Sequence, residues 1–113
     1  MTATLSTHVL DTARGRPAAG VRVSFERRDG AGWAPVGSGE TDLDGRVKNL
    51  VPPHQRVAPG VYRLTFDTGG YAQSIGSHTF FPEVAIVFEI TDTSHYHVPL
   101  LLSPFGYSTY RGS

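Results

Sequence analysis

Short runs of alternating apolar and polar residues, separated by turn-forming residues, dominate the chain. In the segment VRVSFERR (21–28), Val21, Val23 and Phe25 fall on one face of a strand, and the polar residues 22, 24 and 26 fall on the other. Turn dipeptides such as Asp29 with Gly30 and Asp44 with Gly45 interrupt the pattern at short intervals. Short strands and frequent turns predict an all-β sandwich or barrel.

The pattern predicts eight strands in a single domain that covers residues 1–113. The predicted strands are 3–11, 21–28, 32–40, 46–50, 60–68, 83–92, 95–103 and 104–113. A single helical turn is expected from Ala72 to Ile75, between Gly70 and Gly76. Pro99 lies inside the seventh strand and lacks a backbone donor, so we expect a bulge or a local loss of pairing there.

Composition excludes several classes of function. The 113 residues carry 10 Lys and Arg against 10 Asp and Glu, which argues against nucleic acid as the main partner and against a polybasic membrane patch. No cysteine is present, so disulfides and thiolate chemistry are excluded. Neither a signal-peptide pattern nor an apolar run of membrane-spanning length is seen, and the chain is expected to be cytoplasmic.

Two of the five histidines stand in predicted strands. His8 and His97 each precede a valine that points to the opposite face, and a polar side chain in such a setting needs a partner or a wet cavity. Either residue is a satisfied structural histidine or a functional one, and the pattern does not choose. His54 and His78 lie in predicted loops, where solvated side chains are the usual finding.

His95 and His97 are two residues apart and therefore share a strand face, a spacing that can chelate a metal. A closed site needs about four ligands, however, and no acidic partner is evident nearby, so no metal is expected. Arg46, which follows a turn, is either a surface residue or a planar donor for an anionic or carbonyl-rich ligand.

The C-terminal segment has an ordered pattern that chain ends usually lack. In a strand, Ser108 and Tyr110 share a face, while Tyr107 and Thr109 share the other. Terminal residues usually fray, so the pattern suggests an end that is held by contacts.

Three segments carry a resemblance to a known family. THVLDTARGRPA, TDLDGRV and HYHVPLLLSPFGYSTYRGS occur in the order and at the spacing of the 5-hydroxyisourate hydrolases, the enzymatic relatives of transthyretin. Parts of the first and last segments also resemble vertebrate transthyretin, so they indicate the fold rather than the activity. His8, Arg46, His97 and the terminal residues 110–113 match the hydrolases specifically.

The resemblance implies a transthyretin-like (prealbumin-like) β-sandwich of two four-stranded sheets, with one short helix after the fifth strand. It also implies a homotetramer built as a dimer of dimers. Edge strands would pair across one interface, and the other would enclose a channel. That channel carries thyroid hormone in transthyretin and is lined by His, Arg and Tyr in the hydrolases.

The implied reaction is hydrolysis of the N1–C6 amide bond of 5-hydroxyisourate, in urate degradation, without a cofactor. The expected catalytic residues are His8, Arg46, His97 and Tyr110, with one of the two histidines as general base. His8, Arg46 and Tyr110 would also bind the substrate, together with Ser108, Arg111 and Ser113. A non-catalytic carrier of small aromatic ligands and a metal-binding module based on His95 and His97 are the alternatives.

Overall fold

Two β-sheets and one short helix make up the fold in the computed structural model, which describes residues 2–113. In chain order the elements are β1 (Thr4–Asp11), β2 (Arg16–Pro17), β3 (Arg22–Asp29), β4 (Gly32–Glu40), β5 (Arg46–Val47), β6 (Gly60–Phe66), α1 (Thr68–Ser74), β7 (Val84–Ile90), β8 (His95–Ser103) and β9 (Gly106–Thr109). The predicted all-β sandwich with one short helix is confirmed.

The two sheets differ in strand number. The second sheet has the expected four strands in the order β4-β3-β6-β7. The first sheet has five, in the order β2-β1-β8-β9, with β5 also paired to β1. The additional strand is β2, in a segment for which no strand was predicted. Its two residues pair with Leu10 and Asp11 at the end of β1.

The helix begins four residues earlier than predicted. It starts after Asp67, whose carboxylate accepts a hydrogen bond from the Gly70 amide at 3.0 Å and so caps the first turn. Gly69 and Gly70 have low helix propensity, which is why the pattern pointed only to the following turn. Thr68 is buried and belongs to this helix, so β6 ends at Phe66 rather than at residue 68.

Pro99 interrupts strand pairing on one side of β8 and leaves the register on the other side unshifted. Towards β1 the parallel ladder runs without a shift from the Thr4–His95 pair to the Asp11–Leu102 pair. Towards β9, pairing stops at Leu100 and resumes only where His97 bridges Gly112. Of the two expected alternatives, the structure therefore shows local loss of pairing and no bulge.

The core lies between the sheets and fixes which side of β1 faces outwards. Leu5, Thr7 and Val9 are fully buried, whereas Ser6 and His8 are half-buried on the opposite side. Burial of each large apolar core side chain contributes about 1.5–3 kcal/mol, which holds this alternation in place. Thr7 is satisfied in the core because its hydroxyl donates to the Val98 carbonyl of β8 at 2.6 Å.

Within residues 2–113, α1 is the only helix, and its seven residues are too few to cross a membrane.

Candidate active site

The outer face of the first sheet brings together polar side chains from β1, β5 and β8. His8 pairs with Arg46 across the β1–β5 ladder, and Ser6 pairs with His97 across the β1–β8 ladder. Residues paired across strands share a face, and so do residues two apart. His8, Arg46, His97 and Ser6 therefore stand on one side of the sheet, which we call the histidine face.

A tight turn presents Arg46 beside His8. The Asp42 carboxylate accepts hydrogen bonds from the amides of Asp44 at 2.9 Å and Arg46 at 3.0 Å. Gly45 has φ 75°, and a side chain there would collide with the Val9 carbonyl oxygen. The Val9 amide in turn donates to the Gly45 carbonyl at 2.8 Å, so this turn lies directly on β1.

Two neighbours fix His97. Its Nδ1 lies 2.8 Å from Ser6 Oγ, and its backbone carbonyl accepts the Gly112 amide at 2.8 Å. A side chain on Gly112 would come within 2.5 Å of His97 Cδ2, so only glycine permits this approach. The orientation of the ring leaves Nε2 as the nitrogen available to a ligand.

The charge environment keeps His97 in its neutral form. Desolvation lowers its pKa below the ordinary 6.5, and electrostatic repulsion from Arg46, His8 and His95 lowers the pKa further, while a hydrogen bond with the Ser6 backbone raises it. At pH 7 the imidazole consequently carries a free lone pair. A neutral imidazole beside a guanidinium can take a proton from water while the cation holds an anionic or carbonyl oxygen.

His95 lies at the exposed end of the same face. Its Nδ1 is 2.6 Å from Thr4 Oγ1, and its Nε2 is 2.8 Å from Ser6 Oγ. Hydroxyl groups thus contact both ring nitrogens. Among residues 2–113, no group of three or more His, Cys, Asp or Glu side chains is arranged to hold a metal ion.

The C-terminal segment divides between the two sides of the sheet. Ser108 pairs with Leu101, which places it on the histidine face. Extension of the same register puts Tyr110 opposite Pro99, also on that face, and Tyr110 is 60% exposed. Ser113 is exposed and directly follows Gly112, and it is Gly112 whose backbone pairs with His97.

Arg111, an expected site residue, is not brought to the histidine face. Its guanidinium carbon lies 4.7 Å from the ring centroid of Tyr96, whose side chain belongs to the core. Its charge also helps to lower the pKa of the Asp92 carboxyl, although hydrogen bonds from Ser94 are the main cause. Arg111 therefore ties the C-terminal segment to the sandwich rather than to the two histidines.

Ser6 and Thr4 complete the site and were not singled out by the sequence pattern, whereas His95 and Gly112 were named there without the roles that the structure gives them. Alternation along β1 already placed Ser6 on the same face as His8. Its contact with His97 depends on the parallel pairing of β1 with β8, which no local pattern reveals.

Known proteins resemble this chain over nearly its full length. The model of the HIUase/Transthyretin family matches residues 5–112. A 5-hydroxyisourate hydrolase of Salmonella dublin is 53% identical over 110 residues, covering 96% of this chain and 80% of the relative.

Two solved structures have the same fold. The 5-hydroxyisourate hydrolase of Klebsiella pneumoniae is 37% identical, with a TM-score of 0.83 and coverage of 98% of this chain and 94% of that one. Sea bream transthyretin in complex with thyroxine is 34% identical, with a TM-score of 0.88 and coverage of 96% and 93%. The chain therefore belongs to the HIUase/Transthyretin family.

Proposed function

We propose that this protein hydrolyses 5-hydroxyisourate in urate degradation. Cleavage of the N1–C6 amide bond by water gives 2-oxo-4-hydroxy-4-carboxy-5-ureidoimidazoline. The observation that carries the proposal is the meeting of His8, Arg46 and a neutral His97 on one face of the sheet. Relatives that are 53% identical bear the name of this hydrolase, which supports the same assignment.

The residues of the histidine face divide the reaction among them. His97 or His8 takes a proton from the attacking water, and Arg46 holds substrate oxygens and offsets the negative charge that develops on them. Tyr110 hydrogen-bonds the ring, with Ser108 and Ser113 beside it. We assign Arg111 the separate task of holding the C-terminal segment, because its guanidinium stacks on Tyr96.

We further propose that the protein acts as a homotetramer, a dimer of dimers whose second interface closes a channel over the histidine face. The edge strands β7 and β9 support this arrangement, because a cavity of about 250 Å³ with a mainly apolar lining lies between them. Unpaired strand edges favour association with another chain. Light scattering after size exclusion tests the proposal and should give about four times the 12.2 kDa chain mass.

Cytoplasmic location stays a prediction that cell fractionation would check.

The activity is tested by direct assay. Urate oxidase generates 5-hydroxyisourate from urate, and its ultraviolet decay is followed with and without this protein. Accelerated decay, absent from a His8→Ala and His97→Ala double variant, is the expected result.

A carrier without catalysis is the second candidate, because the fold alone does not decide function and the sea bream relative was solved with thyroxine. Tight binding of a small aromatic ligand with no acceleration of the decay would favour it.

A further inference from the structure

An unbroken row of hydrogen-bonding side chains connects the half-buried His97 to solvent. His97 Nδ1 lies 2.8 Å from Ser6 Oγ, Ser6 Oγ lies 2.8 Å from His95 Nε2, and His95 Nδ1 lies 2.6 Å from Thr4 Oγ1. His95 is exposed, whereas Ser6 and His97 are half-buried. The row therefore begins at the catalytic face and ends in water.

Ser6 couples the two rings because its hydroxyl has a single hydrogen. When His97 donates from Nδ1 to Ser6 Oγ, the single hydrogen of Ser6 is free to be donated to His95 Nε2, and neutral His95 then donates from Nδ1 to Thr4. In the opposite pattern each bond is reversed, and His97 carries its proton on Nε2. Only the first pattern leaves Nε2 of His97 free to accept a proton from water.

We propose that Ser6 is a positioning residue that holds His97 in the tautomer competent as a base, and that it passes the proton gained by His97 to His95. The inference rests on the hydrolase function proposed above. It gives His95 a role as a proton exit, whereas the sequence pattern had offered only a metal site that was not expected to form.

The reaction leaves one proton to remove. Water supplies a hydroxyl group to C6 and a hydrogen to N1 as the N1–C6 bond breaks, and the carboxylic acid formed at C6 ionises at neutral pH. The released nitrogen belongs to a ureido group, which is not basic at neutral pH and keeps no extra proton. A turnover at neutral pH therefore yields a carboxylate and one free proton inside the site.

The transfer conserves every proton. His97 Nε2 first takes a proton from the attacking water and returns it to N1 as the N1–C6 bond breaks. Nε2 then accepts the proton of the new carboxylic acid, the Nδ1 proton of His97 moves to Ser6 Oγ, and the original Ser6 hydroxyl proton moves to His95 Nε2. His95 becomes the cation and releases a proton to water. After the product leaves, exchange of the ring protons with water restores the starting tautomers.

The surroundings favour this direction of transfer. A cation on His97 is opposed by desolvation and by the charges of Arg46 and His8, which face it from β5 and β1, and by His95 on its own strand. His95 is exposed, so water stabilises the cation better there than at the half-buried His97. The positive charge is therefore more stable at the outer end of the row.

The positioning role is tested on the unliganded protein by ¹⁵N NMR of the histidine rings. At a pH where both rings are neutral, His97 in the wild type should be protonated at Nδ1 only. Ser6→Ala should give a mixture of His97 tautomers, and Ser6→Thr, which keeps a hydroxyl, should restore the single form. A single Nδ1-protonated His97 in Ser6→Ala would overturn the role of Ser6.

The exit role is tested by kinetics in dilute buffer. His95→Gln keeps a polar side chain that accepts a hydrogen bond but no proton, and it should lower kcat roughly tenfold with KM unchanged. Added imidazole should restore kcat by accepting the proton instead. The matched control is His54→Gln, a change at an exposed loop histidine, which should leave kcat unchanged.

Unchanged kcat in His95→Gln, or a loss that imidazole does not restore, would overturn the exit. If the wild type itself shows no hydrolysis, the proposed function fails, while the NMR result still decides whether Ser6 sets the tautomer of His97.

Discussion

At the scale of single residues, the histidine face depends on a few close contacts rather than on many. His97 is oriented by Ser6 on one side and by Gly112 on the other, at hydrogen-bond distances of 2.8 Å in both cases. Its neutral form is maintained by partial burial and by neighbouring positive charge. Position and protonation state of the proposed base therefore have separate physical origins and separate tests.

Replacement of either histidine of the site or of Arg46 should abolish most of the activity. We expect His8→Ala, His97→Ala and Arg46→Ala each to lower kcat by at least about 10²-fold, because a positioned acid–base group contributes about 10²–10⁴ to the rate. All three side chains lie outside the core, so the thermal unfolding temperature should change little. Near-normal turnover by both histidine variants would refute the assignment.

The pH profile should reflect the lowered pKa of His97. A base works only when deprotonated, so kcat/KM should fall as the pH drops through the pKa of His97 in the free enzyme. Because that pKa is lowered, the midpoint should lie below 6.5. A profile that stays flat from pH 8 down to the pH at which the protein unfolds would contradict a histidine base.

Gly112 offers a substitution that acts on His97 without removing it. In Gly112→Ala the new methyl group would overlap the imidazole, so the C-terminal segment must move away from β8. We expect a large loss of kcat with little change in the free energy of unfolding. Gly106→Ala, in the same segment, is the matched control, because its new methyl group would meet only Ser103 Oγ, at an ordinary 3.6 Å.

At the scale of elements, turns and register decide which side chains meet. The Thr7 hydroxyl bonds β8 from within the core and so holds Ser6 opposite His97. The turn around Asp42 aligns Arg46 with His8, and the bonds that Asp42 accepts from the Arg46 and Asp44 amides lower its pKa, against opposing desolvation. The ionised carboxylate therefore supports this turn above its ordinary pKa of 3.8, and the support is lost as the pH falls through the lowered value.

Loss of the Asp42 carboxylate should weaken the placement of Arg46. In Asp42→Ala two amides lose their acceptor, so we expect KM to rise and kcat to fall several-fold. Asp44→Ala alters a neighbouring carboxylate that accepts no side-chain hydrogen bond within residues 2–113, and it should behave like the wild type in the same steady-state assay. Equal activity of all three proteins would show that the turn does not position Arg46.

At the scale of the whole molecule, local patterns predicted the architecture but not the contacts between distant segments. Alternation was sufficient to place His8 and Ser108 on polar faces and to predict a sandwich. The start of α1 was hidden by Gly69 and Gly70, and β2 was too short to leave a periodic signal. The position of Arg111 depends on Tyr96 of another strand, which alternation within the last segment cannot reveal.

The aromatic centre of the sandwich provides a test of global stability that is separate from activity. Phe25 is fully buried and stacks on Tyr62 at 5.2 Å and on Phe88 at 6.3 Å, which connects β3, β6 and β7. Phe25→Ala should lower the free energy of unfolding by about 3–5 kcal/mol in chemical denaturation. Phe80→Ala removes an exposed aromatic ring and should have a much smaller effect.

The parallel pairing of β1 with β8 has a consequence for biosynthesis. Ser6 and His97 are 91 positions apart, as are Thr4 and His95, so the histidine face exists only after nearly the whole chain has been synthesised. Closure of so long a loop is slow compared with formation of a hairpin such as β3–β4. A nascent chain on the ribosome would therefore carry a largely formed second sheet but no competent catalytic face. During refolding, the rate at which activity appears should equal the rate of the last folding step, the pairing of β8 with β1.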